Sequence, residues 1–302
     1  MRIAVTGRHG QVVQSLLERA RDAGVEIFTV GRPEVDLANR TGIQAALSAI
    51  KPDIVVSAAA YTAVDLAESE KEIARTVNCL GAGAVAHAAH KLGVPVVHLS
   101  TDYVFDGKLN RPYRESDITS PASIYGQTKL DGEHAVAQAN DNHVILRTAW
   151  VYSPFGKNFA RTMLKLASIR DEVSVVSDQR GTPTNALDIA DTVIAVSRRL
   201  HAQPDDDELR GIFHMASAGE ADWAEFAEAI FEASYAVGGP SASVRRIPTS
   251  AYPTPAKRPA NSRLDTGKLA TFYNIQLPHW RDTLPSTVTR LIAQEFQKKV
   301  SS

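Results

Sequence analysis

The first half of the chain repeats one pattern, in which a short apolar run is followed by a longer amphipathic stretch and then by another apolar run. Candidate strands are Ile3 to Thr6, Glu26 to Val30, Ile54 to Ser57, Val94 to Ser100 and Val144 to Thr148, with helical stretches near 11–23, 41–50, 72–92 and 122–139 between them. Short, nearly continuous apolar strands are buried on both faces, and parallel neighbours need a helical crossover between them. The alternation therefore predicts an α/β fold with a doubly wound parallel sheet, whose ligands bind beyond the carboxyl ends of the strands. Gly7 follows the first strand, Arg32 the second, Ala58 the third and Thr101 the fourth, so the expected site runs along one rim.

At 302 residues and 44% hydrophobic content the chain can bury a substantial core, as one large domain or two smaller ones. Beyond Trp150 the alternation weakens. Asn158 to Ala167 reads as helix, Val173 to Val176 as strand, Ala186 to Leu200 as a helix returning to the first domain, Ile247 to Pro259 as loop and Trp280 to Lys298 as a closing helix. The expected division is a Rossmann domain over 1–150, joined by approximately 178–215, and a smaller C-terminal substrate-binding lobe over 151–177 and 216–302 that covers the cleft. A net charge of -1 without a long basic run argues against a nucleic-acid partner. No apolar stretch approaches the roughly 18 residues of a membrane span. The single cysteine, Cys79, cannot form an internal disulfide and the sequence starts on a strand, which leads us to expect a cytoplasmic setting. The acidic run Asp205 to Glu208 reads as a solvated loop, and no metal is expected.

Gly7-Arg8-His9-Gly10-Gln11 stands where the first strand turns into a helix bearing Val12, Leu16, Leu17 and Ala20 on its apolar side. Glycines there let backbone amides approach a phosphate, and the helix N-terminus favours the anion. His9, between the glycines, is placed to touch a pyrophosphate. Val13 occupies the position where a third glycine is usual, so helix and strand must pack differently there. Arg32 follows the second strand, where an acid would hold a ribose 2′-hydroxyl; an arginine can pair with a 2′-phosphate. NADPH is the expected cofactor, and Asp36 keeps NADH open.

Tyr125-Gly126-Gln127-Thr128-Lys129 puts a phenol and an ammonium one helical turn apart. A free phenol titrates near 10, and bringing it close to neutrality takes about 4 kcal/mol, which a neighbouring cation in a water-poor cleft can supply. A hydroxyl from the end of the fourth strand, Ser100 or Thr101, can fix a carbonyl oxygen beside the phenol. The set suits carbonyl reduction or alcohol oxidation.

Together these motifs resemble the extended short-chain dehydrogenase/reductases, and within them the rhamnose-reductase branch. The likeness spans nearly the whole chain: Gly7-x-x-Gly10-Gln11, Ala58-Ala59-Ala60-Tyr61-Thr62-Ala63-Val64-Asp65, Asn78, Ser100 to Gly107, Tyr125-x-x-x-Lys129, Arg147 to Tyr152, Asp178-Gln179-x-Gly181-x-Pro183-Thr184 and Arg258-Pro259-x-Asn261-Ser262. The resemblance implies reduction of the C4 ketone of dTDP-6-deoxy-L-lyxo-4-hexulose to dTDP-L-rhamnose, with hydride from the nicotinamide. It implies that Tyr125 protonates the nascent alkoxide, that Lys129 lowers the phenol's pKa and holds the nicotinamide ribose, and that Thr101 hydrogen-bonds the carbonyl oxygen. Gly7, His9, Gly10, Gln11, Val12, Arg32, Asp36, Leu37, Ala58, Ala59, Ala60, Tyr125 and Lys129 would border the cofactor. Thr62, Val64, Asp102, Tyr103, Trp150 and Arg258 would position a nucleotide-sugar substrate, Arg258 through its diphosphate. Some members pair through magnesium held by glutamates, one of them on the first helix; Ser15 stands there, so a homodimer, if formed, is expected without that bridge. Two other functions share the fold: an epimerase or dehydratase retaining NAD, and a catalytically silent regulatory subunit. Intact Thr101, Tyr125 and Lys129 argue against the latter.

Overall fold

A computed structural model describes residues 1–295. Its centre is a six-stranded sheet with every pairing parallel. Strands β1 (Arg2–Thr6), β2 (Glu26–Val30), β3 (Ile54–Ser57), β4 (Val96–Thr101) and β5 (His143–Thr148) alternate with helices α1 (Gln11–Ala23), α2 (Ile43–Ile50), α3 (Ala82–Lys91) and α4 (Ile124–Ala139). The helical stretch expected near 72–92 is present with an interruption, because Lys71–Arg75 passes through a π turn at Thr76–Gly81 before α3 begins.

The chain continues through α5 (Phe159–Ala167), β6 (Glu172–Val176), α6 (Ala186–Ala202), β7 (Gly211–His214), α7 (Trp223–Tyr235), β8 (Ser243–Ile247), α8 (Gly267–Tyr273) and α9 (Trp280–Glu295). The last stretch expected of the closing helix, 296–298, lies outside the described residues. Strand β7 is a finding the alternation did not predict: it adds beside β5 and gives the order β7-β5-β4-β3-β1-β2, with β1 and β3 adjacent. Helices α7 and α8 and strand β8, which pairs in parallel with β6, were also not expected.

Successive strand residues face opposite sides, so two apolar layers form. Ile3, Val5, Val56, Val97 and Leu146 pack under α1 and α6, whereas Ala4, Val55, Val96 and Ile145 pack under α2, α3 and α4. Each fully buried aliphatic side chain contributes roughly 1.5–3 kcal/mol. A separate cluster builds the lobe from Leu164, Val173, Phe226, Ile230, Trp280 and Leu284. Leu269, Tyr273 and Leu277 join the first core, so this piece of the range expected for the lobe packs with the nucleotide half. No helix among the described residues is long and apolar enough to cross a membrane. Ser15 is fully buried and donates to the Gln11 carbonyl at 2.9 Å, so it is not a surface position on α1.

Beneath the sheet's carboxyl rim lies an ion pair that solvent does not reach. The Arg147 guanidinium, 2% exposed on β5, donates to both oxygens of Glu133 on α4 at 2.9 and 2.7 Å, and Ser100 donates to the same carboxylate at 2.5 Å. Removing one partner leaves the other charged in a low-dielectric interior. Glu133→Ala should lower the unfolding free energy by about 3–5 kcal/mol in urea titrations at neutral pH. A loss below about 1 kcal/mol would show that the pair does not anchor α4.

Candidate active site

The nucleotide side begins where β1 ends. The Thr6 hydroxyl accepts from the Ala58 and Ala59 amides, both at 3.0 Å, and so ties the turn after β3 to the turn after β1. Gly7 has φ +97, and a Cβ there would meet Val13 Cγ2 at 3.4 Å and Ala59 Cβ at 3.5 Å. Val13, 2% exposed, thus fills the space beside Gly7, which is how the chain manages without a third glycine. Helix α1 starts after Gly10 with no side-chain cap and no acid in its first turn. Its first amides are therefore left for an anion, and the residues present fit a dinucleotide pyrophosphate.

Several cofactor candidates have further duties. His9 and Arg32 are exposed, and Val12 packs against the edge of the core. The Gln11 side-chain oxygen accepts from Ser153 at 2.8 Å, which joins α1 to the segment leading into the lobe. Asp36 is occupied in its own turn, accepting from the Ala38 amide at 2.9 Å. Leu37 is a core residue whose Cβ and carbonyl lie against Gly81. Ala58, Ala59 and Ala60 are half-buried on the rim. Two residues not singled out as cofactor contacts stand here. Arg8 leans along Gly31 at the end of β2 and pairs with Glu34 at 2.5 Å, and Asn78 clamps Tyr61 through amide and carbonyl while donating to Thr128 of α4 at 3.1 Å.

Of the two candidate hydroxyls, Ser100 points down to Glu133, whereas Thr101, the last residue of β4, donates to Asp102 at 2.9 Å. Tyr103 packs edge-on against Tyr125, with ring centroids 5.4 Å apart. Burial, and then the Asp102 carboxylate, push the phenol up to about 12, and the Thr101 hydroxyl works the other way.

Here the expectation for Lys129 needs correcting. Its ammonium is bonded to the Leu99 carbonyl at 2.6 Å and lies 3.3 Å from His98 Nε2, so β4 holds it and the phenol is not its hydrogen-bond partner. Four-residue spacing put the two side chains on one face, but β4 supplied stronger partners for the cation. Burial lowers the ammonium to about 8, against the opposing field of Glu133.

Above this rim, a cavity of about 800 Å³ opens toward the lobe, lined among others by Tyr103, Phe159, Gln179, Trp223, Tyr252 and Arg258. Trp150 backs the cavity: its indole stacks on Trp223 with centroids 3.5 Å apart and planes 8° from parallel. Trp223, which also donates to Gln179 at 3.2 Å, was not expected. Its sequence signal was the capping box of Asp222 and Glu225 that opens α7. Arg258 grips Asp65 with both terminal nitrogens at 3.1 and 2.8 Å. Thr62 is exposed and Val64 half-buried on the same turn, outside the cavity lining. Among the described residues, no group of histidine, cysteine and carboxylate side chains could hold a metal ion.

Fold and site together define a class: a dinucleotide-type domain carrying a tyrosine–lysine helix at its rim, with a second lobe over the cleft, is an extended short-chain dehydrogenase/reductase. Residues 1–293 match the family described as RmlD substrate binding domain. The chain is 51% identical over 294 residues to the dTDP-4-dehydrorhamnose reductase of Sinorhizobium fredii, covering 97% of this chain and 99% of that one. It is 43% identical over 299 residues to that of Burkholderia thailandensis, covering 97% and 100%. The crystal structure of the Bacillus anthracis dTDP-4-dehydrorhamnose reductase in complex with NADP superposes with a TM-score of 0.87 at 33% identity, over 95% of this chain and 98% of that one. The chain belongs to the dTDP-4-dehydrorhamnose reductase family.

Asp102 supplies a test of the site's electrostatics. Burial raises its carboxyl from 3.8 to about 6, partly offset by the Ser262 and Thr101 hydroxyls. A carboxyl with a raised folded pKa binds its proton more tightly folded than unfolded, so stability falls as pH rises from about 4 to 6 and stays lower above. A carboxamide in its place cannot ionise and still accepts from Thr101. The stability of Asp102→Asn relative to the parent should therefore grow by about 2.5 kcal/mol between pH 4 and pH 7.5 in paired denaturation curves. A difference that stays flat would mean the carboxyl carries no burial cost.

Proposed function

We propose that this chain reduces the C4 ketone of dTDP-6-deoxy-L-lyxo-4-hexulose to dTDP-L-rhamnose, with NADPH as reductant. The reading rests on the placement of Thr101, the last residue of β4, and Tyr125, in the first turn of α4 and edge-on against Tyr103, at the strand rim, with Tyr103 also lining the lobe cavity. NADPH supplies the hydride when bound. The first-turn amides after Gly10 hold its pyrophosphate, Arg32 with Arg8 takes the 2′-phosphate, Ala58 to Ala60 and Gln11 border it, and Lys129 donates to the nicotinamide ribose.

Tyr125 is the proton donor. Held at about 12, its phenol is fully protonated at neutral pH, the form that protonating an alkoxide requires. Thr101 hydrogen-bonds the carbonyl oxygen as charge gathers on it. Asp102 and Tyr103 position the sugar, with Thr62 and Val64 on the facing turn, and the Trp150–Trp223 stack walls the nucleotide end. Arg258 contacts the diphosphate by exchanging part of its hold on Asp65. The reading includes a cytoplasmic enzyme and, if it pairs, a homodimer without a bridging metal.

Tyr125→Phe keeps the ring and deletes the proton. Its kcat for NADPH oxidation with the dTDP-linked 4-keto sugar should fall by about 10²–10⁴, while the Kd for NADPH stays within a factor of about 2. Undiminished turnover would remove the phenol from the reaction. Assayed against a panel of 4-keto nucleotide sugars, the parent enzyme should oxidise NADPH with the dTDP-linked 6-deoxy-hexulose; oxidation with another nucleotide sugar alone would move the substrate.

A further inference from the structure

A buried histidine with no part in the scheme above stands directly behind Lys129. His98, on β4, is 1% exposed, and both ring nitrogens are engaged. Nδ1 lies 3.0 Å from the hydroxyl of Ser57 at the end of β3, and Nε2 lies 3.3 Å from Lys129 Nζ. An ammonium has three donors and no acceptor. Nε2 must therefore accept, the ring is the Nδ1–H tautomer, and that N–H donates to Ser57 Oγ. The Leu99 carbonyl takes a second proton of the ammonium at 2.6 Å, which leaves one for a ligand in the cleft.

We infer that His98 is a positioning residue: anchored by Ser57, its neutral ring fixes the Lys129 ammonium on β4, with one N–H left for a ribose hydroxyl of the bound dinucleotide. The inference rests on the reading of Lys129 as a cofactor contact. The surrounding charges agree with it. Lys129 faces Glu133 one turn along α4, itself paired with Arg147 of β5, and Tyr125 one turn back, with Asp102 beyond Thr101. Burial, followed by the charges of Lys129 and His143, holds His98 well below its usual pKa, so the shared proton belongs to the lysine. Removing the acceptor takes away a stabiliser of the ammonium and should move its titration down.

The two amide replacements separate this role from simple packing. A glutamine side chain can place an acceptor near Nε2, whereas an asparagine reaches only toward Nδ1 and Ser57. His98→Gln should keep the NADPH Kd within about 3-fold of the parent. His98→Asn should weaken it about tenfold, the order of one charge-assisted hydrogen bond, and should shift the alkaline limb of kcat/KM for NADPH to lower pH. Equal effects of the two variants on Kd would overturn the inference. Should either variant fail to fold, two-bond ¹⁵N spectra of the histidine rings in the intact parent protein decide the matter. A protonated Nδ1 with an unprotonated Nε2 is expected at pH 7, and an Nε2–H ring or an imidazolium would overturn the inference. Nucleotide affinity and tautomer are both read without a sugar substrate, so they stand or fall apart from the proposed reaction.

Discussion

The polar stripe of α4 is the constraint on which the site depends. Tyr125, Lys129 and Glu133 follow one another at four-residue intervals, so they share a face; Lys129 and Glu133 are buried against β4 and β5, and Tyr125 is half-buried at the rim. A buried polar group without a partner costs roughly 1–3 kcal/mol, and a charged one more, so the stripe tolerates only a helix rotation that satisfies all of it. Lys129 takes Leu99 and His98, and Glu133 takes Arg147 and Ser100. Tyr125 then arrives beside Thr101. Two glycines on the flanks let the helix come this close: a Cβ at Gly126 would lie 2.2 Å from the Tyr103 carbonyl oxygen, and one at Gly132 would lie 2.1 Å from that of Asn78. Each helical glycine costs about 1 kcal/mol of propensity, which the packing must offset.

The parts of the fold legible in the sequence are those where burial leaves a periodic trace. Strands β1 to β5 are covered on both faces and read as apolar runs, and α1 to α4 carry enough length to show an amphipathic period. Strand β7 escaped because it is four residues long, opens on Gly211 and follows an acidic loop. Only its pairing with β5 makes it a strand. Strand β8, Ser243–Ile247, carries two arginines and pairs with β6 alone, outside the main sheet. At the site, the spacing of Tyr125 and Lys129 gave their shared face correctly. It could not give the direction of the ammonium, because the competing acceptors, a backbone carbonyl and a histidine ring, come from a strand 30 residues away in sequence. Trp223 was hidden for a similar reason. Its stacking partner Trp150 lies in another segment, and nothing local pairs them.

The Lys129 ammonium is committed to the Leu99 carbonyl and His98, and burial holds the phenol in its protonated form. A phenol held at about 12 is a poor base at neutral pH and an intact acid. In the proposed reaction the alkoxide left by hydride addition would be comparable in basicity to hydroxide, whose conjugate acid has a pKa of about 15.7, so the proton would move downhill from the tyrosine. Oxidation of an alcohol would need the phenolate, and here burial and the Asp102 carboxylate both oppose it. Such a site favours the protonated catalyst that reduction uses. The equilibrium of the reaction is untouched, since a catalyst cannot shift it.

What remains is to hold a substrate across two separately packed cores, and the ties between them sit at the ends of the strands. Gln11 reaches Ser153, Asp65 holds Arg258 and the Ala256 amide, and Tyr103 joins Tyr125 to the lobe cavity. Trp150 is the most constrained of these linking residues. It adopts φ +48, a left-handed conformation that costs a non-glycine residue about 1–3 kcal/mol. The strain persists because the indole is trapped, with Trp223 stacked on one side and Gly181 offering no Cβ where one would stand 2.3 Å from the ring. The backbone turn that follows β5 and the aromatic wall of the lobe are thus one object. A change that relaxed Trp150 would loosen the lobe cavity while leaving Thr101 and Tyr125, fixed from below by α4, where they are.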